Sequence, residues 1–306
     1  VVNLRYPFHK RKMDKYTYEE LLHYIFDCEL RTDPKEHPVI LTEYPLTEKK
    51  EREQLMQIMF ETFGVPEYYV SPQEVLASYT VWRTAGIVLN VGKEITSLVP
   101  IYDNYCIPHA INCIELGGDN ITSRLQVLIK NDDPILEYDS GFRIVDEIKE
   151  KYCFVSMDVD KENMNDLNLS VNLPDGNEIK ISNLRCSCPE GLFKPYLCEL
   201  KCKGIHEYIV DSIMKCDANV QKDMFRNIIV VGGSTLFEGF VKRLEFEITK
   251  LAPETANVSI FAPDGRRYQA WIGGSTLGAS PEFTQMSIKR NEYNEVGEKI
   301  VHIKCL

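Results

Sequence analysis

Three glycine turns carry the chemistry of this 306-residue chain: Asn90–Gly92, which runs into Lys93, then Gly117-Gly118, then Gly232-Gly233. Glycine takes backbone angles closed to other residues and lets a ligand approach the main chain. Each turn is therefore either a tight corner or a place where N–H groups meet an oxyanion. The third has the fullest context. Ile228–Val231 is an unbroken β-branched run, as expected of a strand covered on both faces. Ser234 or Thr235 can cap a following helix, in which Phe237, Phe240, Val241, Leu244, Ile248 and Leu251 recur at helical spacing. A glycine turn feeding a helix N-terminus is an anion site, because unpaired N–H groups and the helix dipole point there together. Three such turns at the strand ends of one sheet system suggest a polyphosphate cleft between domains. Cys186, Cys188, Cys198 and Cys202 raise zinc as a second chemistry. Ribbons and fingers favour C-x2–4-C pairs, so these four are expected as ordinary thiols.

The elements around the turns follow from periodicity and punctuation. Val1–Pro7 alternates like a strand, and Thr17-x-x-Glu20 is a capping box for a helix with Leu21, Leu22, Ile25 and Phe26 on one face. Pro38–Leu41 reads as a buried strand. Thr47 is expected to cap a helix carrying Leu55, Ile58, Met59 and Phe63, ended by Gly64 in the left-handed conformation. Tyr68–Val70 is strand-like, and Ser71, Pro72 and Glu74 start a third helix reaching Trp82. Gly86–Asn90 and Ile95–Tyr102 flank a turn at Val91–Glu94, with Tyr105–Ile114 as a further strand. Helices are expected at Asn120–Ile129, Phe142–Phe154, Ile205–Lys215 and Val220–Phe225. Asp158–Asn168 is acidic and irregular, and Pro174–Asn177 is a hairpin turn between Leu169–Leu173 and Glu178–Ile181. Val258–Phe261 and Tyr268–Trp271 read as strands, and Gly273-Gly274 as a second strand–glycine–helix step. Phe283–Lys289 and Glu292–Glu295 read as short helices, and the tail IVHIKCL as a strand. Strands interleaved with crossover helices predict an α/β fold.

Composition narrows the function classes. A chain of this length can bury two cores, and 44% hydrophobic with 26% charged residues is globular. The net charge of −11 repels nucleic acid and anionic lipid, so direct nucleic-acid binding and membrane insertion are not expected. The one basic cluster, His9–Lys12, reads as a solvated loop. No basic stretch followed by an apolar segment marks a secretory signal, so the ten cysteines are expected as free thiols of a reducing compartment.

The stretches IMFETFGVPEYYVSPQEVLASY, EIKEKYCFVSMDVD, LPDG, GIHEYIVDSIMKCD, VVGGSTLFEG, APDGRRYQAWIGGS and IVHIKCL resemble actin, and the resemblance runs from Leu4 to Leu306 with few gaps. It implies the actin-like α/β fold shared with Hsp70 and sugar kinases, two domains around an ATP–Mg²⁺ cleft. An outer domain would comprise residues 1–80 plus 269–306. The inner domain would have a sheet half at 81–116 plus 203–268 and a small lobe at 117–202. The family's first phosphate hairpin, D-x-G-S/T-G, would lie before Val1, which leaves the outer domain incomplete over this stretch. By the same resemblance the Gly86–Tyr102 hairpin, with Gly92 and Lys93, is the second phosphate loop. Gly118 joins it, Lys149 and Glu150 lie beside base and ribose, and Gly232, Gly233, Ser234, Leu236 and Phe237 line the nucleotide. Arg267 reaches the base from the far side. Tyr79, Tyr105, Leu277 and Met286 match the apolar cleft in which actin's partners insert helices, narrowed by Trp82 where the family carries glycine.

The departures from the family are as informative. Its D-S-G-D turn, which organises the magnesium water shell, reads Asn90-Val91-Gly92-Lys93 here. Asn90 keeps an oxygen but loses the charge, and Mg²⁺ favours carboxylates. Lys93 places a cation where a dication should sit, or else neutralises phosphate itself. The family's water-placing histidine is Ser97, while its water-orienting glutamine is retained as Gln73. Its G-R-D is Gly118-Asp119-Asn120, a carboxylate for an arginine. Hydrolysis needs metal, water and cradle together. The expectation is a divergent actin-like cytoskeletal or assembly protein, a structural subunit of the cytoplasm with ATPase activity lost or very weak. ATP or ADP is its cofactor, Mg²⁺ is poorly held, and actin, actin-binding proteins or further copies are its partners. Two alternatives stay open: a polymerising ATP-binding actin whose first phosphate loop lies outside this stretch, and an actin-related subunit of a nuclear complex.

Overall fold

The computed structural model describes residues 5–9, 11–81, 85–129, 139–159, 169–174 and 176–305, with backbone alone at 139 and 140. The chain divides into one unit of Val1–Trp82 with Gln269–Leu306 and another of Arg83–Tyr268.

In the first unit, β1 (Phe8–His9) and β2 (Lys12–Met13) pair antiparallel, with His9 and Lys12 of the basic cluster exposed; Lys10 lies outside the described residues. Of the expected first strand, Val1–Leu4 lies outside the described residues. Helix α1 (Lys15–Tyr24) starts before the predicted capping box. Thr17 lies inside it and donates its hydroxyl to Asp14 Oδ2 at 2.6 Å, so Asp14 holds the cap position. Only Leu22 and Phe26 of the expected apolar face are buried. Strand β3 (Val39–Glu43) precedes α2 (Lys49–Gln57), whose cap position is Glu48. Thr47 instead closes the preceding turn by donating to the Tyr44 carbonyl at 2.7 Å. The wider helical turns of Ile58–Phe63 end at Gly64, left-handed at φ 73° as expected. Strand β4 (Glu67–Pro72) lies parallel to β3, Val39 opposite Tyr68. Helix α3 (Gln73–Ser78) is shorter than predicted. Ser78 and Thr80 donate their hydroxyls to the Val75 and Ala77 carbonyls, local bonds that compete with helix continuation. Trp82, the predicted end, lies outside the described residues.

The second unit begins with β5 (Ala85–Val91) and β6 (Thr96–Tyr102), the predicted hairpin, in register Asn90 to Ser97. The long strand expected after it is two short ones, β7 (Tyr105–Cys106) and β8 (Asn112–Ile114), parted by a turn at Pro108, which has no N–H for a ladder. Both pair with β6. Helices α4 (Gly118–Ile129) and α5 (Asp139–Tyr152) lead to the antiparallel pair β9 (Ser170–Asn172) and β10 (Glu178–Lys180). Asp175 of their turn lies outside the described residues, as do residues 160–168 of the acidic stretch. Helices α6 (Leu184–Ser187), α7 (Ile205–Lys215) and α8 (Ala218–Arg226) precede β11 (Ile228–Val231). All four β11 residues are buried, and β5 and β12 (Ile260–Phe261) flank the strand in parallel. Among the described residues the sheet runs β12-β11-β5-β6-β7, with β8 also on β6.

The glycine turn after β11 does not feed a helix. Gly233–Thr235 is a single tight turn, and α9 (Phe240–Leu251) starts at Gly239, φ 79°. A Cβ on Gly239 would lie 2.2 Å from the Val155 carbonyl oxygen, so this corner admits no side chain. Ser234 and Thr235 turn their hydroxyls back to the Gly92 and Gly232 carbonyls, at 2.8 and 2.7 Å, and cap nothing.

The chain then returns to the first unit. The predicted strand Tyr268–Trp271 is a tight turn running into α10 (Gln269–Gly278), and Gly273-Gly274 lies inside this helix. Short elements follow: α11 (Phe283–Met286), β13 (Ile288–Lys289) antiparallel to β4, α12 (Arg290–Val296) and α13 (Val301–Lys304). The tail is helical despite its strand-like alternation. Val301 and Cys305, four apart, are buried while Ile303 is 67% exposed.

Candidate functional site

All three glycine turns meet in the second unit, at the tip of the β5–β6 hairpin. The Gly92 carbonyl accepts from Gly118 N at 3.0 Å and from Ser234 Oγ at 2.8 Å, while the Lys93 carbonyl accepts from Asp119 N at 2.8 Å. A Cβ on Gly117 would lie 2.5 Å from the Lys93 carbonyl oxygen, and one on Gly118 would lie 2.7 Å from Ser234 Oγ. At Gly117 glycine is needed because main chain meets main chain; at Gly118 a side chain would displace the Ser234 hydroxyl. Gly232, φ 96°, packs against Val91 O and Asn90 Oδ1 and donates its N–H to the Arg266 carbonyl at 3.0 Å.

Lys149 is the least expected member. As a helical charge facing water it would be exposed, yet it is 5% exposed. Its ammonium donates to the Gly118 carbonyl at 3.3 Å, Thr122 Oγ1 at 2.9 Å and Asp146 Oδ1 at 2.5 Å, which accounts for all three of its protons. Burial alone would raise the Asp146 carboxyl; hydrogen bonds from Lys149 and Thr122 outweigh it and hold the group below the usual range. Glu150, next in sequence, is over half exposed and stands 3.9 Å from Arg267. Sequence reasoning missed Asp146 and Thr122. The available signal was the i,i+3 spacing of Asp146 and Lys149 on one helix face.

Asp119 completes the cluster. Its Oδ1 is buried and has no hydrogen-bond partner among the described residues. Burial first, then the charges of Asp146 and Glu94, raise its carboxyl above the ordinary value, against the pull of Lys93 and Lys149. An acid raised in the folded state contributes stability that is full below its ordinary pKa and lost as pH climbs through the folded value. Asp119→Asn should therefore stabilise the protein by about 1 kcal/mol at pH 7 in urea denaturation. The gain should shrink as pH falls toward the ordinary aspartate range, where the carboxyl is protonated in both states.

The remaining predicted positions scatter. Phe237 is buried in the core of the second unit, whereas Leu236 is 46% exposed. Gly233 lies beside the Arg267 side chain. The neighbouring Arg266, which the sequence reading passed over, clamps the turn by donating to Thr235 Oγ1 and to the Thr235 carbonyl, both at 3.0 Å. Gln73 is the first residue of α3 in the first unit. Leu277 is a core residue there at 1% exposure, and Tyr79 and Met286 pack against the same core. Tyr105 is 60% exposed in β7 of the other unit. Of the zinc candidates, Cys186 and Cys188 are buried and Cys198 and Cys202 half-buried. Among the described residues no three His, Cys, Asp or Glu side chains form a metal-sized group.

The hairpin tip can be set against the magnesium–polyphosphate that the resemblance implies. A phosphate cradle needs N–H donors, yet those of Gly92, Gly118, Asp119 and Gly232 already have protein acceptors. Magnesium needs hard oxygens, helped by carboxylate. The β5 end supplies Asn90, the buried Val91 and then an exposed Lys93. The nearby carboxylates, Asp119 and Asp146, stand beside lysines, where a polyphosphate would itself require cations. Within the second unit, then, these four N–H groups are already used and the hairpin end offers magnesium no carboxylate of its own. A protein-family model described as Actin matches residues 12–306 of the chain.

Proposed function

The chain belongs to the actin family, and we propose that it serves there as a structural or scaffold subunit of a cytoskeletal assembly with its nucleotide turnover lost. The observation supporting this reading is the hairpin tip. Gly92 and Lys93 carbonyls are bonded to Gly118, Asp119 and Ser234, and the Lys149 ammonium that reaches the Gly118 carbonyl is paired with Asp146. A turn held by its own hydrogen bonds keeps its shape without a ligand. On this reading its partners are actin, actin-binding proteins or further copies of the chain, in the cytoplasm, a choice that family membership supports. Any ATP or ADP it takes up binds weakly and without dependence on magnesium.

Thermal unfolding tests this. A site with a Kd of about 1 µM, challenged with about 1 mM MgATP, would gain about 4 kcal/mol of stability. For a chain of this size that is a rise in Tm of roughly 10 °C. The expected rise is below about 1 °C and unchanged by EDTA. The paired substitution Asn90→Asp and Lys93→Asp should make the shift magnesium-dependent. A large EDTA-sensitive rise in the unaltered protein would overturn the reading.

A further inference from the structure

The second unit carries a feature that the hairpin tip does not use: a ladder of alternating charge beside a cavity of about 810 Å³. At its centre Arg243, 5% exposed on α9, donates to Glu190 Oε1 and Oε2 at 2.9 and 3.0 Å and to Glu247 Oε1 at 2.7 Å. Lys194 then pairs with Glu190 at 2.9 Å, and Lys250 with Glu247 at 3.2 Å. The order is Lys194–Glu190–Arg243–Glu247–Lys250. Its two carboxylates are buried or nearly so and each faces two cations, while the terminal lysines are 48% and 51% exposed.

The buried centre reads as structure, but it fixes the two rim ammoniums. The described residues give each lysine one carboxylate, so further N–H donors face solvent. Among the described residues four cations and three carboxylates line the cavity, on a chain of net −11. Met157, Leu197 and Tyr196 add an apolar wall, and Tyr196 is 66% exposed. Cavities of about 300–1,000 Å³ with apolar walls and a few fixed polar groups are the usual form of small-molecule sites. A fixed ammonium with N–H donors to spare is an anchor for an anionic group, since a charge-assisted hydrogen bond is about twice as strong as a neutral one.

We propose that this cavity binds a small organic anion with an aromatic body, its carboxylate, phosphate or sulfonate held by Lys194 and Lys250 and its ring lying against Tyr196 and Leu197. The site is separate from the hairpin tip and does not depend on the fate of nucleotide there.

The test is fluorescence titration with 8-anilinonaphthalene-1-sulfonate, an aromatic anion, and with N-phenyl-1-naphthylamine, its uncharged analogue. Saturable one-to-one binding of the sulfonate is expected, with the amine binding at least about tenfold more weakly. Lys194→Glu combined with Lys250→Glu should weaken sulfonate binding at least about tenfold, with near-ultraviolet circular dichroism unchanged. Tyr196→Ala, which keeps both lysines, should weaken it about threefold and serves if the double variant fails to fold. Absence of saturable binding, equal affinity for both probes, or affinity unmoved in a folded variant would overturn the proposal.

Discussion

Arg243→Met should destabilise the protein by about 3–5 kcal/mol, because it removes one partner of a buried ion pair and leaves the other. Glu190 is 4% exposed and would keep only the half-exposed Lys194. The Ser156 carbonyl would lose its 2.7 Å donor, and Phe193 the guanidinium 5.1 Å over its ring. Urea denaturation should show a lower midpoint at unchanged slope, since the surface exposed on unfolding is the same. Adding Glu190→Gln should recover at least about 1 kcal/mol, because the stranded charge is then gone. Additive losses in the two single variants would show that the pair is not the source of the effect.

Gly273→Ala should cost at least about 3 kcal/mol, for a reason confined to backbone contact. Helix α10 lies against α3 so closely that a Cβ on Gly273 would fall 1.7 Å from the Leu76 carbonyl oxygen. Neither helix can move away without opening the core that Leu76 and Leu277 share. Gly274, one residue on, is the control. Its Cβ would meet Leu76 Cδ1 at 3.6 Å and Ile40 Cγ2 at 4.0 Å, ordinary contact distances. Gly274→Ala should therefore be neutral or gain up to about 1 kcal/mol from helix propensity. Equal effects at the two positions in thermal unfolding would contradict the packing argument.

That glycine pair also shows where the sequence was readable and where it was not. Ile228–Val231 announced a doubly covered strand, and it has parallel neighbours on both sides. Gly64 announced a left-handed helix end, and the Gly86–Tyr102 hairpin formed with its turn in place. These features are set locally, by β-branching and by backbone angles that only glycine takes cheaply. Gly273-Gly274 and Gly232-Gly233 look alike in sequence, yet one sits in a helix interior and the other in a left-handed corner. What separates them is the surface each must approach, which no local pattern contains. IVHIKCL failed for a related reason: its short alternation fits a strand, but burial at 301 and 305 follows a helix.

At the candidate site, family resemblance located the turns but not their bonding. Lys149 and Glu150 are adjacent and alike as helical charges, yet one is buried with three acceptors and the other stands in solvent. Ser234 reads as a helix cap in sequence. It turns instead to the Gly92 carbonyl, 142 positions earlier in the chain, a choice settled by tertiary contact. The charge ladder on α9 escaped notice because its members come from segments around Glu190 and Arg243, 53 residues apart.

We propose that this actin-family chain, its hairpin tip held by its own hydrogen bonds, no longer turns over nucleotide. Single-turnover hydrolysis tests it most directly, with protein in excess over labelled ATP, in magnesium and in EDTA. Phosphate release at the background rate in both conditions is the predicted result. Magnesium-dependent release clearly above background, abolished by EDTA, would contradict the account.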